Sequence, residues 1–332
     1  MKGTLAIVGV TGTGKSSFAA RLALESKGQI VSLDQSQTLG GFPLLSNRSL
    51  NTSTPHPFRL LHVKGPRGRN PSWNAHTFCH AAKALLDPER LNLIEAGNSM
   101  YMRFMLDNVL SPERVPTVVL YPKKGVAALR PALSSRAASM LRRGVLFEGA
   151  EPCGPGKVSA PPGFRENLPL CLAEIVAFLK AGELRPYEMR GAAFRVRLEN
   201  FWHRFVGRQG ALAGRQLKFL RSFFEGDGNF WIDFEEAEGI DLAALQLMIQ
   251  HNSKRPPVFE ESDRERQHGK ETLPFNRTEV ENLRYQVNRI LEDKRDLLAD
   301  RDRELTPLRG LAGRYDALET GLFLNSEAKV NS

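Results

Sequence analysis

Cysteine is scarce in this chain: three among 332 residues, Cys79, Cys153 and Cys171. They share no metal-ligand spacing, which argues against a zinc module or a disulfide framework. Reduced thiols in a cytoplasmic protein are the expectation. Long apolar runs are also missing, so no segment is expected to span a membrane. No signal peptide is expected, because Met1-Lys2-Gly3 leads straight into an apolar strand. Acidic residues are outnumbered, 37 Asp and Glu against 46 Lys and Arg, for a formal net charge of +9. That surplus suits anionic partners such as phosphates, nucleotides or nucleic acid, although a solvated basic surface accounts equally for most of it. There is no internal repeat. The length allows one large or two modest soluble domains.

What is present starts at the N-terminus. Residues 4–10 form a short apolar run. It passes into Gly9-Val10-Thr11-Gly12-Thr13-Gly14-Lys15-Ser16, and a helical pattern follows over Phe18 to Ala23. Strand, glycine loop and helix in this order have the spacing of a P-loop. The glycines let successive N–H groups curl toward phosphate oxygens, and the helix start adds its positive end. The expected phosphate-binding set is Gly9, Gly12, Thr13, Gly14, Lys15, Ser16 and Ser17. Lys15 reaches the outer phosphate, and the Ser16 hydroxyl is the expected Mg²⁺ ligand.

A second apolar strand, residues 29–33, ends at Asp34. In an open α/β sheet, ligands sit beyond the carboxyl ends of the strands. Asp34 is therefore expected beside the phosphates, as a metal ligand or a proton acceptor, with helix or turn capping as the bland alternative. Further strands are expected at 91–94 and 115–121. Helices are expected at about 72–86, at 126–144 with Pro131 restarting the helix, and at 190–224. The fold class is α/β: a P-loop NTPase-like parallel sheet flanked by helices, with additional C-terminal helices. The division is a P-loop domain over 1–235, a linker with a short helix over 236–275, and a helical extension over 276–332. In that extension Thr278-Glu279-Val280-Glu281 reads as a capping box. Val280, Leu283, Val287, Ile290 and Leu297 then recur at heptad spacing. Such a helix either dimerises as a short coiled coil or lies across the main domain. The few clean heptads favour the second.

Several blocks carry a resemblance. Residues 37–48, QTLGGFPLLSNR, align without gaps to the segment after the second strand of isopentenyltransferases, with Gln37, Gly41, Ser46, Asn47 and Arg48 at marked positions. His56-Pro57-Phe58-Arg59-Leu60-Leu61 is similar to that family's Pro-His-His-Leu-Leu segment. Glu95-Ala96-Gly97-Asn98-Ser99-Met100-Tyr101 is similar to its Gly-Gly-Ser-x-x-Tyr turn, with Ala96 and Asn98 as departures. Arg136 to Met140 with Gly144 resembles its Arg-x-x-x-Met…Gly helix, and Leu212-Ala213-Gly214-Arg215-Gln216 its Leu-Ala-x-Arg-Gln segment.

The resemblance implies an enzyme that moves a dimethylallyl group from dimethylallyl diphosphate to the N6 amine of adenine. It implies Asp34 as base, Thr11 as the hydroxyl that orients the amine, and Arg136 on the diphosphate. The nucleotide and prenyl pocket would be lined by Gln37, Asn47, Arg48, Gly97, Ser99, Arg215 and Gln216. Two acceptor classes stay open. A free adenine nucleotide (AMP, ADP or ATP) is favoured, as in cytokinin biosynthesis. Only residues 104–114 separate the Gly-Gly-Ser-like turn from the next strand, where tRNA-modifying members carry a long helical insertion. The tail also lacks the paired Cys and His of some tRNA enzymes. The net charge keeps tRNA as the alternative. A small-molecule P-loop kinase and a non-catalytic regulator are the remaining readings.

Overall fold

The last five residues of the first strand, β1 (Gly3–Gly9), are all buried. A strand apolar on both faces needs strands at both edges and helices above and below. The computed structural model supplies them. It describes residues 2–34, 37, 42–46, 58–59, 74–97, 99–110, 115–150, 171–185, 189–224, 229–251 and 273–296.

From β1 the chain enters α1 (Lys15–Ser26), which turns at Lys27 into β2 (Gln29–Ser32). Next come the two-residue strand β3 (Phe58–Arg59), α2 (Ala75–Lys83) and β4 (Leu91–Glu95). A short helix α3 (Ser99–Phe104) runs into a wider turn over Met105–Val109, and β5 (Thr117–Tyr121) follows. After a 3₁₀ turn at Val126–Leu129 the helices are α4 (Arg130–Arg142), α5 (Val145–Ala150), α6 (Leu172–Leu184) and α7 (Gly191–Phe224). The described chain closes with β6 (Asn229–Asp233), α8 (Leu242–Gln250) and a helix α9 over residues 277–296.

All six strands are parallel, in the order β3-β2-β4-β1-β5-β6. Side chains alternate across a strand, so the sheet divides the core in two. Leu5, Ile7, Ile30, Leu93, Val118 and Leu120 pack on one face with Phe18 and Leu22 of α1 and Leu245 of α8. Ala6, Val8, Val31, Ile94 and Val119 pack on the other with residues of α2, α4, α6 and α7.

Several expectations are refined. The fourth main strand starts at Thr117 rather than 115, because Pro116 has no N–H for the ladder. The helix expected over 126–144 divides at Arg130, with Pro131 in the first turn of α4, and Gly144 takes φ +89° to end it. The strand β6 was not anticipated. Its Phe230 and Ile232 face one core and Trp231 the other.

The helix α9 begins two residues earlier than the capping box at Thr278 implied. Asn276 is the cap: its Oδ1 accepts from Glu279 N–H at 2.9 Å, and Glu279 Oε2 accepts from Asn276 N–H at 2.9 Å. Val280, Leu283, Val287 and Ile290 are buried in this chain's own larger core. Phe275 packs edge-on against Trp202, and Arg142 binds Glu279 at 2.7 Å. Leu297 lies outside the described residues. No helix among the described residues is long and apolar enough to cross a membrane.

Candidate active site at the carboxyl edge of the sheet

The site is built where β1, β2 and β4 end. At Gly9 a Cβ would stand 2.5 Å from the Leu120 carbonyl oxygen, so only glycine lets β1 lie this close to β5. Gly12 and Gly14 take φ of +93° and +75°, a region costly for side chains with a Cβ, and they curl the loop over the start of α1. Val10 O accepts from Thr13 Oγ1 at 2.8 Å and from Lys15 Nζ at 3.0 Å. Lys15 thus folds back over the loop, nearly buried.

Three acidic or basic groups from other elements surround that ammonium. Glu95, the last residue of β4, is only 4% exposed. Its Oε1 accepts from Ser16 Oγ at 2.7 Å, while its Oε2 is buried with no hydrogen-bond partner among the described residues. Asp34 follows β2, and its carboxylate rests directly on Gly97, where a Cβ would overlap it. Arg136 enters from α4, and its Nε is likewise buried and unpartnered among the described residues.

Burial pushes the Lys15 ammonium below its ordinary range, with Glu95 opposing that shift. It pushes the Glu95 carboxyl up, with Lys15 and the Ser16 hydroxyl opposing. It lowers Arg136 from the usual arginine value, with Asp34 the first group to counter it. Two basic and two acidic side chains share one sheet edge.

Gln216, on α7, clasps this edge. Its Oε1 accepts from Thr11 N–H at 2.7 Å, and its Nε2 donates to Gly97 O at 2.8 Å. One side chain therefore fixes the P-loop relative to the turn that seats Asp34.

Of the residues singled out from sequence, Thr11, Asp34, Gly97, Arg136 and Gln216 come together with the P-loop. Gln37 is buried but accepts from Ser32 Oγ at 3.0 Å, a contact that braces the end of β2. Ser17 and Arg215 are exposed; Arg215 stands one position round the helix from Gln216. Asn47, Arg48 and the side chain of Ser99 lie outside the described residues. Glu95 was missed as a functional residue. The available signal was the same one that marked Asp34: an apolar strand that ends in a carboxylate.

No family model matches the chain. Curated relatives do. The chain is 29% identical over 143 residues to a tRNA dimethylallyltransferase of Caulobacter sp. (strain K31), covering 39% of this chain and 44% of that protein. It is 26% identical over 152 residues to the chloroplastic adenylate isopentenyltransferase 3 of Arabidopsis thaliana, covering 44% of each. The chain is an isopentenyltransferase homologue. Among solved structures, this homologue shares its fold with a full-length tRNA isopentenylpyrophosphate transferase from Bacillus halodurans. That match has a TM-score of 0.56 and 14% identity, and covers 76% of this chain and 98% of that one. A eukaryotic dimethylallyltransferase acting on tRNA gives a TM-score of 0.52 at 14% identity, covering 79% of this chain and 81% of that one. The sequence match spans less than half the length of these curated relatives.

Proposed function

We propose that this chain alkylates the exocyclic N6 amine of an adenine with the dimethylallyl group of dimethylallyl diphosphate, and that the adenine belongs to tRNA. The observation that carries the chemistry is the meeting of three groups at one sheet edge: the P-loop, the Asp34 carboxylate on Gly97, and the Arg136 guanidinium, whose buried Nε has no hydrogen-bond partner among the described residues. A bond forms between N6 and C1 of the donor, the C1–O bond breaks, and pyrophosphate leaves. An exocyclic amine is a poor nucleophile because its lone pair is delocalised into the ring. Asp34 takes the amine proton as the bond forms. The P-loop amides, Lys15 and Arg136 hold the departing diphosphate, and a planar guanidinium suits a bidentate contact with it. Holding both reactants at attack distance contributes about 7–11 kcal/mol in model systems.

A Mg²⁺ ion fits beside the loop, because the Ser16 hydroxyl and a carboxylate oxygen next to it are hard oxygen donors. When bound, it would supply charge neutralisation on the diphosphate.

The sequence put a free adenine nucleotide first as acceptor. The curated relatives named as tRNA dimethylallyltransferases weigh the other way. The free-nucleotide reading keeps two supports: the Arabidopsis relative, and the short span between α3 and β5.

The test is a product assay by mass spectrometry. The protein is given Mg²⁺ and dimethylallyl diphosphate, with AMP in one tube and unmodified tRNA in another. Prenylated adenosine in the tRNA tube is the expected result. Prenylated nucleotide in the AMP tube alone would move the acceptor to free nucleotides. Product in neither would overturn the prenyl-transfer reading, and ADP formed from ATP would then point to a kinase.

A further inference from the structure

We infer that Gln209 reads the acceptor base: its side-chain amide pairs with the adenine edge that carries N6 and a neighbouring ring nitrogen. The inference rests on the proposed transfer to adenine and concerns a residue that the proposed chemistry does not use.

Gln209 lies within α7 and is 3% exposed. Its Oε1 and its Nε2 are both buried without a hydrogen-bond partner among the described residues. An amide buried in that state costs free energy at each end, and native proteins pair nearly all such groups. An apolar side chain at the same place would avoid that cost. A carboxamide open at both ends suits a ligand that offers one donor and one acceptor side by side.

Its place on α7 puts it beside the candidate site. Gln216, which clasps Thr11 and Gly97, comes about two turns later on the same side of the helix. Phe205 comes about one turn earlier, and its carbonyl accepts from Cys171 Sγ at 3.5 Å. Burial and Glu174 raise the Cys171 thiol, and the Arg136 guanidinium opposes them, so Arg136 stands near this stretch of α7. Gln209 is thus flanked by the clasp at one end and by the Arg136 side of the site at the other. The carboxamides assigned to the pocket from sequence do not compete with it. Gln216 is bonded at both ends, and Gln37 Oε1 accepts from Ser32 Oγ. Asn47 lies outside the described residues.

The acceptor supplies the match. The N6 amine carries two hydrogens. Asp34 takes one as the new bond forms, and the other needs an acceptor once the amine is desolvated. Gln209 Oε1 is an acceptor without a donor. Next to N6, adenine presents a ring nitrogen, N7 on one edge and N1 on the other, and Gln209 Nε2 donates to it. Glutamine meets adenine by such a bidentate pair in nucleic-acid recognition.

The experiment uses the full chain and an unmodified tRNA in which the product assay has located the prenylated adenosine. That one adenosine is replaced by 7-deazaadenosine or by 1-deazaadenosine, each of which keeps N6 and lacks one ring nitrogen. Prenylation kcat/KM is compared for the wild type and Gln209→Met, an unbranched side chain with no amide. One of the two analogues should cost the wild type about 5- to 150-fold against adenosine, and which one it is identifies the edge. Gln209→Met should lose a similar factor on adenosine and be indifferent to that analogue. Any intrinsic difference in reactivity between the analogues is common to both proteins and cancels in this cycle. A Gln209 that only packs, or only holds a water, would lower all three substrates by one factor on substitution, and that result overturns the inference. A wild type indifferent to both deletions overturns it as well, without any variant. If Gln209→Met does not fold, Gln209→Leu takes its place. If AMP alone is prenylated, the same comparison is made with AMP and its two deaza analogues. A wild type that prenylates neither tRNA nor AMP removes the prenyl-transfer reading, and the inference with it.

Discussion

Replacing Gly97 with alanine places a methyl group on the Asp34 carboxylate. The added carbon would stand 2.8 Å from Asp34 Cγ and 3.3 Å from its Cβ. Carbon atoms in contact normally keep about 3.5–4.0 Å, so one side must retreat by about 1 Å. Gly97 is held by Gln216 at its carbonyl, and the preceding residue by Ala96 N–H to Ile7 O at 3.1 Å. The Asp34 backbone is held by its N–H to Ser32 Oγ at 3.2 Å and by Gln37 N–H to its carbonyl at 3.0 Å. The retreat therefore falls on the Asp34 side chain, at a cost of about 0.5–1.5 kcal/mol for leaving its rotamer. A misplacement of this size near reacting atoms costs about 10²-fold in rate. Gly97→Ala should therefore fold, bind pyrophosphate within about threefold of the wild type, and lose about 10²-fold in kcat in the mass-spectrometric product assay. Asp34→Asn should lose about 10²–10⁴-fold. The double variant should fall no further than Asp34→Asn, because both changes act through one carboxylate. A folded Gly97→Ala enzyme with wild-type kcat would refute both the seating of Asp34 by Gly97 and its role as base.

Three other outcomes are expected. Arg136→Gln removes charge-assisted bonds of about 1.5–3 kcal/mol, so pyrophosphate affinity measured by calorimetry should drop by about 10- to 150-fold; an unchanged Kd would take Arg136 out of the site. Burial pushes the Cys79 and Cys171 thiols up to about 12 each. As acids with raised values, they contribute stability that is present below the free-thiol range near ~8.5 and lost as pH rises toward about 12. Neither should be alkylated by iodoacetamide at about pH 8 until the protein is unfolded, as read by peptide mapping. Phe275→Ala strips a ring set edge-on to Trp202 at 5.5 Å and under the Arg142 guanidinium at 5.4 Å. It should cost about 3–5 kcal/mol in urea denaturation, and a shift below about 1 kcal/mol would mean that α9 contributes little to the fold.

The P-loop was legible because its chemistry is written in consecutive residues. Glycine, lysine and serine at fixed offsets after an apolar strand leave little choice of backbone. Asp34 was legible because strand ends in an α/β sheet point to one edge. Glu95 obeys the same rule but stood where the isopentenyltransferase turn begins, and that likeness drew attention to the small residues after it. The clasp by Gln216 could not be read as such: Thr11 and Gln216 are 205 positions apart, and only the crossing of α7 over the sheet brings them together. The strand β6 was obscured by the masking effect of composition, since Asn229-Phe230-Trp231-Ile232-Asp233 is too short to show a period and joins at the sheet's edge. For the helix α9, heptad spacing marked the apolar stripe correctly. What lies under that stripe depends on α4, α6 and α7, and spacing alone does not contain them.

The divided core has a consequence for how this protein can change over time. The helix behind the phosphate loop is anchored in the smaller core, through Phe18 and Leu22. The helices that bring Arg136 and Gln216 are anchored in the larger one, through residues such as Leu133, Ala137, Ala213 and Leu217. The two halves of the candidate site thus rest on opposite foundations, with a sheet as the party wall. The Gln216 side chain, which ties Thr11 of the loop to Gly97, is the stitch between the two.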